Sequence, residues 1–184
     1  MLSTCHHIVL CGGIGSRLKA EVSLPKPLGL VLGIPLIQHV LPSIPSEKIS
    51  VISGNHLEQF NFENLIHHLT DKEVNFTYIK RPTRGPIESA YLGIKLLRNI
   101  RDEEPIIFYD NDTIYNGISL PEEATNAIGF LSVEDPSKSY QYCFLDIEQG
   151  RIVGIHEKEQ VSNKYAAGIY AFKSKKYFLE KAKE

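Results

Sequence analysis

The sequence predicts an α/β fold, a doubly wound and mostly parallel sheet with helices on both faces. Three observations predict it. Short apolar runs alternate with helix-period segments through the first two thirds of the chain. The run 106–109 is apolar throughout, as a strand covered on both faces must be. A glycine-rich loop, Gly12-Gly13-Ile14-Gly15, follows the first apolar run, at the strand end where open α/β sheets bind ligands. Beyond residue 126 the runs are strand-like with little helix between them, so a smaller β-rich C-terminal part is expected beside the Rossmann-like sheet.

The elements follow in order. Residues 7–11 form a buried strand, and 35–41 a helix with Pro35 in its first turn. Residues 48–53 read as the second strand. The segment 57–69 is an amphipathic helix whose apolar face carries Leu57, Phe60, Leu65, Ile66 and Leu69. Residues 74–80 alternate like a strand, and 87–100 place Ile87, Ala90, Tyr91, Ile94 and Leu97 at helical spacing. The central strand 106–109 runs into Asp110. This βαβαβαβ order implies right-handed crossovers. Four further strands are expected at 127–133, 140–147, 151–156 and 166–172, with Glu148-Gln149-Gly150-Arg151 as a hairpin turn. Residues 174–184 begin a short charged helix. No repeat, low-complexity tract or linker divides the chain, so one domain over 1–184 is expected.

Composition excludes several classes. The chain has 184 residues, 42% hydrophobic, and can bury roughly 70% of its extended surface. A disordered tail and a disulfide-stapled miniprotein are excluded. With 20 Lys+Arg against 22 Asp+Glu the net charge is −2, so nucleic acid is not an expected partner, although a local cationic pocket is allowed. Cys5, Cys11 and Cys143 show no metal or disulfide spacing and read as small hydrophobes of a reducing compartment. The histidines, among them His6–His7 and His67–His68, read as surface or edge residues. The longest apolar stretch, 28–37, holds Gly29, Gly33 and Pro35 and is too short to cross a bilayer. No signal peptide is indicated, and a cytoplasmic location is expected.

The loop from Leu10 to Leu18 carries the chemistry. Glycines at a strand end let backbone N–H groups converge on an anion. The dinucleotide fingerprint fails, because Leu18 stands at its third glycine and Ser53-Gly54-Asn55 offers no acid for a ribose. A P-loop fails too, since Arg17-Leu18-Lys19 replaces Gly-Lys-Ser/Thr. At the other strand end, Asp110-Asn111-Asp112 sets two carboxylates where Mg²⁺ would suit them, a hard ion that takes one or two acids plus substrate phosphates.

These segments together resemble the sugar-1-phosphate nucleotidylyltransferases. The loop Leu10-Cys11-Gly12-Gly13-Ile14-Gly15-Ser16-Arg17-Leu18, then Pro25-Lys26-Pro27, then Gly33-Ile34-Pro35-Leu36-Ile37 matches the family's opening. The resemblance implies a reaction in which a sugar phosphate attacks the α-phosphorus of an NTP and pyrophosphate leaves. Such chemistry rests on positioning and charge neutralisation. Leu10, Gly12, Gly13, Gly15 and Ser16 would line the nucleotide, Arg17 would clamp the leaving phosphates and Lys26 would bring charge to the reacting ones. Asp112 matches the family's metal-binding Asp, with Asn111 in place of its glycine and Asp110 as an additional carboxylate.

The acceptor side follows from the same resemblance. Arg81 and Gly85 would pass near the base and ribose, although Arg81 and Arg84 read equally well as solvated charges. Ile155-His156-Glu157-Lys158 and Tyr165-Ala166-Ala167-Gly168-Ile169-Tyr170 resemble the family's Glu-Lys and Ala-Gly-Ile-Tyr elements. Glu157 would meet sugar hydroxyls, Lys158 the sugar phosphate, and Gly168 would leave space for the ring. In the family a second metal-binding Asp lies downstream of this strand, whereas Lys173 to Glu184 contain none. The chain is therefore expected to be the front part of something longer, or to complete its metal site otherwise. Two alternatives stay open. One is a metal-dependent glycosyltransferase of GT-A type using Asp110-Asn111-Asp112. The other is a non-catalytic paralogue that binds a nucleotide sugar and regulates a partner.

Overall fold

Five consecutive buried positions place strand β1 (His6–Cys11) at the centre of the main sheet. The computed structural model describes residues 4–13, 24–119, 126–134 and 142–183. In chain order the other strands are β2 (Leu30–Val31), β3 (Ile34–Pro35), β4 (Lys48–Gly54), β5 (Glu73–Ile79), β6 (Ile106–Asp110), β7 (Asn126–Ser132), β8 (Cys143–Glu148), β9 (Arg151–Glu157) and β10 (Lys164–Phe172). The helices are α1 (Leu36–Val40), α2 (Phe62–Leu69), α3 (Pro86–Leu96) and α4 (Lys175–Lys181).

The order β5-β4-β1-β6 is parallel throughout, and β10 then joins β6 antiparallel. Strand β10 also pairs with β7 and β8, and β8 with β9, which forms the expected β-rich part. Side chains alternate between two cores. Val9, Cys11, Val51, Ile107 and Tyr109 meet Ile37 and Val40 of α1 and Phe62 and Ile66 of α2 on one face. Ile8, Leu10, Ile52, Ile106 and Phe108 meet Ala90 and Ile94 of α3 and Phe178 of α4 on the other. The predicted double winding stands.

Several boundaries differ for local reasons. The helix expected over 57–69 is a 3₁₀ segment, Asn55–Phe60, broken from α2 by Asn61 in the left-handed conformation at φ 51°. Asparagine tolerates that region better than most residues. The helix expected to reach residue 100 stops at Leu96, and Leu97 and Ile100 bury themselves from an extended turn instead. The sequence reading missed the β2–β3 hairpin, which turns through Leu32 (φ 53°) and Gly33 (φ 80°). The turn at Gln149 and Gly150 is the one expected, both with positive φ as a two-residue hairpin requires. His7 departs from its predicted surface role. It is 1% exposed, and its Nδ1 lies 2.9 Å from the Tyr109 hydroxyl across the β1–β6 seam. The three cysteines are free, with Cys11 buried and its thiol pushed up by that burial.

Helix α3 approaches the sheet closely because of one glycine. A Cβ on Gly93 would stand 2.4–2.7 Å from three side-chain carbons of Ile52. Gly93→Ala should therefore lower stability by about 1–3 kcal/mol despite alanine's better helix propensity, read as a lower urea midpoint at unchanged slope. An unchanged midpoint would show that α3 can lift without loss.

Candidate functional site

Strand β1 has β4 on one side and β6 on the other, so the chain leaves it at a topological switch point. At such a point open α/β sheets leave a crevice, here between the carboxyl ends of β1 and β6. Cys11-Gly12-Gly13 enters it from one strand and Asp110-Asn111-Asp112 from the other. A Cβ on Gly12 would fall 2.9 Å from the Ser89 hydroxyl, so bare backbone lets this loop sit on the start of α3. Ser89 is buried and its hydroxyl lies 2.6 Å from that of Thr83. Gly13 is exposed, and no described atom lies within 4 Å of where its Cβ would be. Gly15, Ser16 and Arg17 lie outside the described residues.

Lys26 is delivered by a 3₁₀ turn, Lys26–Leu28, braced by its neighbours. Pro25 fixes the entry, Pro27 and Leu28 are buried, and the Leu28 N–H donates to the Pro25 carbonyl at 2.8 Å. The Lys26 ammonium forms an ion pair with Oδ2 of Asp112, both side chains about one-third exposed. The sequence placed these two charges 86 positions apart, and the fold brings them into contact. Asn111 donates from Nδ2 to the Leu10 carbonyl at 2.5 Å, tying the acidic turn to the end of β1.

Asp110 is the perturbed group. Burial first, then the negative charge of Asp112, push its carboxyl up to about 6, against a smaller opposing pull from Lys26. Its neighbour across the sheet is Gly168, at φ 72°, where a Cβ would stand 2.6 Å from Asp110 Oδ2. The bare backbone that the resemblance assigns to the sugar ring also lies against this carboxyl group. Two tyrosines join the site that sequence reasoning gave no role. The Tyr115 hydroxyl bonds the Gly168 carbonyl at 2.9 Å and accepts from the Asp110 N–H at 3.1 Å. Burial, followed by Asp110, Cys143, Glu157 and Asp112, pushes the Tyr170 phenol up to about 12. Tyr170 thus feels carboxylates from both halves of the fold. Its signal was the Ala-Gly-Ile-Tyr run itself, read only for its glycine.

This chain belongs to the nucleotidyl transferase family.

The match to that family, described as Nucleotidyl transferase, runs over residues 6–184. A putative mannose-1-phosphate guanyltransferase of Sulfolobus acidocaldarius is 29% identical over 189 aligned residues, covering 90% of this chain and 48% of that protein. The bifunctional protein GlmU of Methanococcus maripaludis is 29% identical over 175, covering 89% and 39%. The chain thus spans half or less of the length of these curated relatives. The solved nucleoside-diphosphate-sugar pyrophosphorylase of Vibrio cholerae RC9 superposes with a TM-score of 0.76 at 19% identity, over 95% of this chain and 75% of that one, and shows the same fold.

The other positions that the sequence singles out are spread more widely. Glu157 and Lys158 are exposed, with Nζ 3.8 Å from Oε1. Lys158 takes φ 58°, and its N–H donates to the Tyr142 carbonyl at 3.0 Å, which turns the chain out of β9. Arg81 and Arg84 both grip Glu88, at 3.1 and 3.2 Å, and are 66% and 91% exposed. Gly85 is extended at φ 176° with open space about it. Arg81 and Gly85 line a cleft of about 570 Å³ with Glu88, Tyr91 and Lys183, whose described lining includes neither Asp110 nor Asp112. Among the described residues no helix is long and apolar enough to cross a membrane.

Asp110 yields a pH signature. Its folded value, about 6, lies above the ordinary 3.8, so the folded protein keeps the proton where the unfolded chain has lost it. Stability should therefore fall as pH rises from about 4 through 6 in metal-free buffer, and stay lowered above that. Asp110→Asn should remove this slope and gain about 2 kcal/mol at pH 7, measured by urea unfolding at pH 4.5 and 7. A slope that persists in the variant would assign it to another group.

Proposed function

We propose that the chain is the catalytic part of a sugar-1-phosphate nucleotidylyltransferase, joining an NTP and a sugar-1-phosphate into an NDP-sugar with release of pyrophosphate. One observation carries the reading. Lys26 and Asp112 meet at the switch point, a cation and a metal-type carboxylate at the strand ends where Gly12 and the exposed Gly13 emerge. Phosphoryl transfer asks for that arrangement, since the work is alignment and neutralisation of phosphate charge.

The carboxylates fit Mg²⁺. Asp112 already holds a cation, and its charge is one cause of the lift on Asp110, a repulsion that a divalent ion would relieve. Among the described residues no group of three or more His, Cys, Asp or Glu side chains gathers for a metal. Asp112 and Asp110 would therefore supply two ligands and leave the others to phosphate oxygens and water, which is how Mg²⁺ is commonly held. When bound, the ion supplies charge neutralisation at the phosphates.

The chain's own residues do the rest. The amides of Gly12 and Gly13, with Gly15 and Ser16, cradle the nucleotide phosphates next to Leu10. Arg17 spreads its planar fork over the departing β- and γ-phosphates. Lys26 exchanges its pairing with Asp112 for the reacting phosphates. From the opposite wall Glu157 accepts from sugar hydroxyls and Lys158 pairs with the sugar phosphate, while Asn111 holds the acidic turn in register. Arg81 and Gly85 border the base side.

The test is a pyrophosphate-release screen of the four NTPs against a panel of sugar-1-phosphates with Mg²⁺. Release that requires both substrates is expected. Lys26→Ala and Asp112→Asn should each lower it by about 10²-fold or more with far-ultraviolet circular dichroism unchanged. Hydrolysis of an NDP-sugar without pyrophosphate chemistry would point to the glycosyltransferase. Nucleotide binding in calorimetry without release would point to a regulatory paralogue.

A further inference from the structure

Along the edge opposite β7, strand β10 serves two partners in turn, β6 and β8, and the place where it changes between them is built around one hydroxyl. From Ile169 to Phe172 it pairs with β6, the last registered rung joining Ile169 to Tyr109. At Tyr165 it pairs with β8 instead. Between the two, its register against β7 slips from Ala166 to Tyr170, and Gly168 turns through φ 72°. A rung between Gly168 and Asp110 would come next on β6, but the bend removes it. Left alone, the Asp110 N–H and the Gly168 carbonyl would be unsatisfied in a largely buried place, at a cost of about 1–3 kcal/mol each.

The Tyr115 hydroxyl fills that gap. It donates to the Gly168 carbonyl at 2.9 Å and accepts from the Asp110 N–H at 3.1 Å. The ring is 7% exposed and held edge-on against Tyr109, centroids 5.2 Å apart at 69°. One side chain thus replaces a backbone rung at the joint between the parallel sheet and the β-rich part. Among the described strand pairings, β9 with Glu157 at its end joins the central sheet through this strand, from β10 to β8 to β9. The glycine loop and Lys26 do not.

We propose that Tyr115 is a positioning residue for the acceptor: its hydroxyl locks the Gly168 bend against Asp110 and so sets the distance between the acceptor wall and the nucleotide side. This rests on the function proposed above. Tyr115 touches no reacting atom; it acts through the bend.

Two variants test it. Tyr115→Phe keeps the ring and removes the lock, and Gly168→Ala forces the bend open from the other side, since its Cβ would strike Asp110. Each should raise the KM for the sugar-1-phosphate that gives the fastest release in the screen by about tenfold or more, with the KM for the NTP changed less than about twofold. The double variant should cost little more than the worse single, because both act on one bend. Amide exchange over 165–170 should quicken in Tyr115→Phe while that of β1 and β4 stays as in the wild type. Equal shifts in both KM values, or none, would overturn the positioning role, and unaltered exchange over 165–170 would overturn the lock. A wild-type chain that releases no pyrophosphate with any pair would sink the functional reading instead, and the exchange result would then decide the lock by itself.

Discussion

The whole arrangement depends on β1 lying between two parallel neighbours. Its ladder to β4 and its ladder to β6 are both in register along most of its length. Right-handed crossovers to opposite sides cannot close over the same strand end, so that end stays open. Burial of His7 to Cys11 makes the constraint rigid, and the Nδ1–hydroxyl contact of His7 with Tyr109 adds a polar stitch within the apolar seam. Lys26, Asp110 and Asp112 take their places because of where the opening is.

An open crevice between strand ends collects charge. Asp110 and Asp112 repel one another there, and among the described residues Lys26 answers for the pair. The protein tolerates a carboxyl group that resists ionisation because the surrounding strands are deeply packed and cannot admit enough water to solvate it. Stability is given up at the spot where a cationic ligand would restore it. That is the usual relation between a binding site and the fold that holds it.

The parallel half was legible because its signals are local. Apolar runs of strand length, the loop of glycines and the Pro-Lys-Pro turn each announce themselves within a few residues. The doubly wound order follows from their alternation, and Lys26 and Asp112 each stand in a local motif, although only the fold brings them into contact. The departures arise where one residue's conformation overrides a pattern. Asn61 breaks a helix whose apolar spacing is continuous, and Leu32 accepts a left-handed turn that nothing in an apolar run announces. Tyr115 is invisible as a site residue in the sequence because its importance is wholly tertiary. A tyrosine that bonds a carbonyl 53 positions away leaves no periodicity behind. The closeness of Gly168 to Asp110 left no local signal for the same reason, since the two come from different strands.

The slender seam between β10 and β8 has a consequence for cooperativity. Among the described residues a single registered pair, Tyr165 with Phe144, carries the ladder from one to the other, whereas β1 holds β4 through five. The β8–β9 hairpin is therefore a unit that can open on its own while the central sheet remains closed, the behaviour of a low-stability foldon beside a high-stability one. Were the chain to work as proposed, it would not need to loosen its grip on the nucleotide in order to exchange the sugar phosphate.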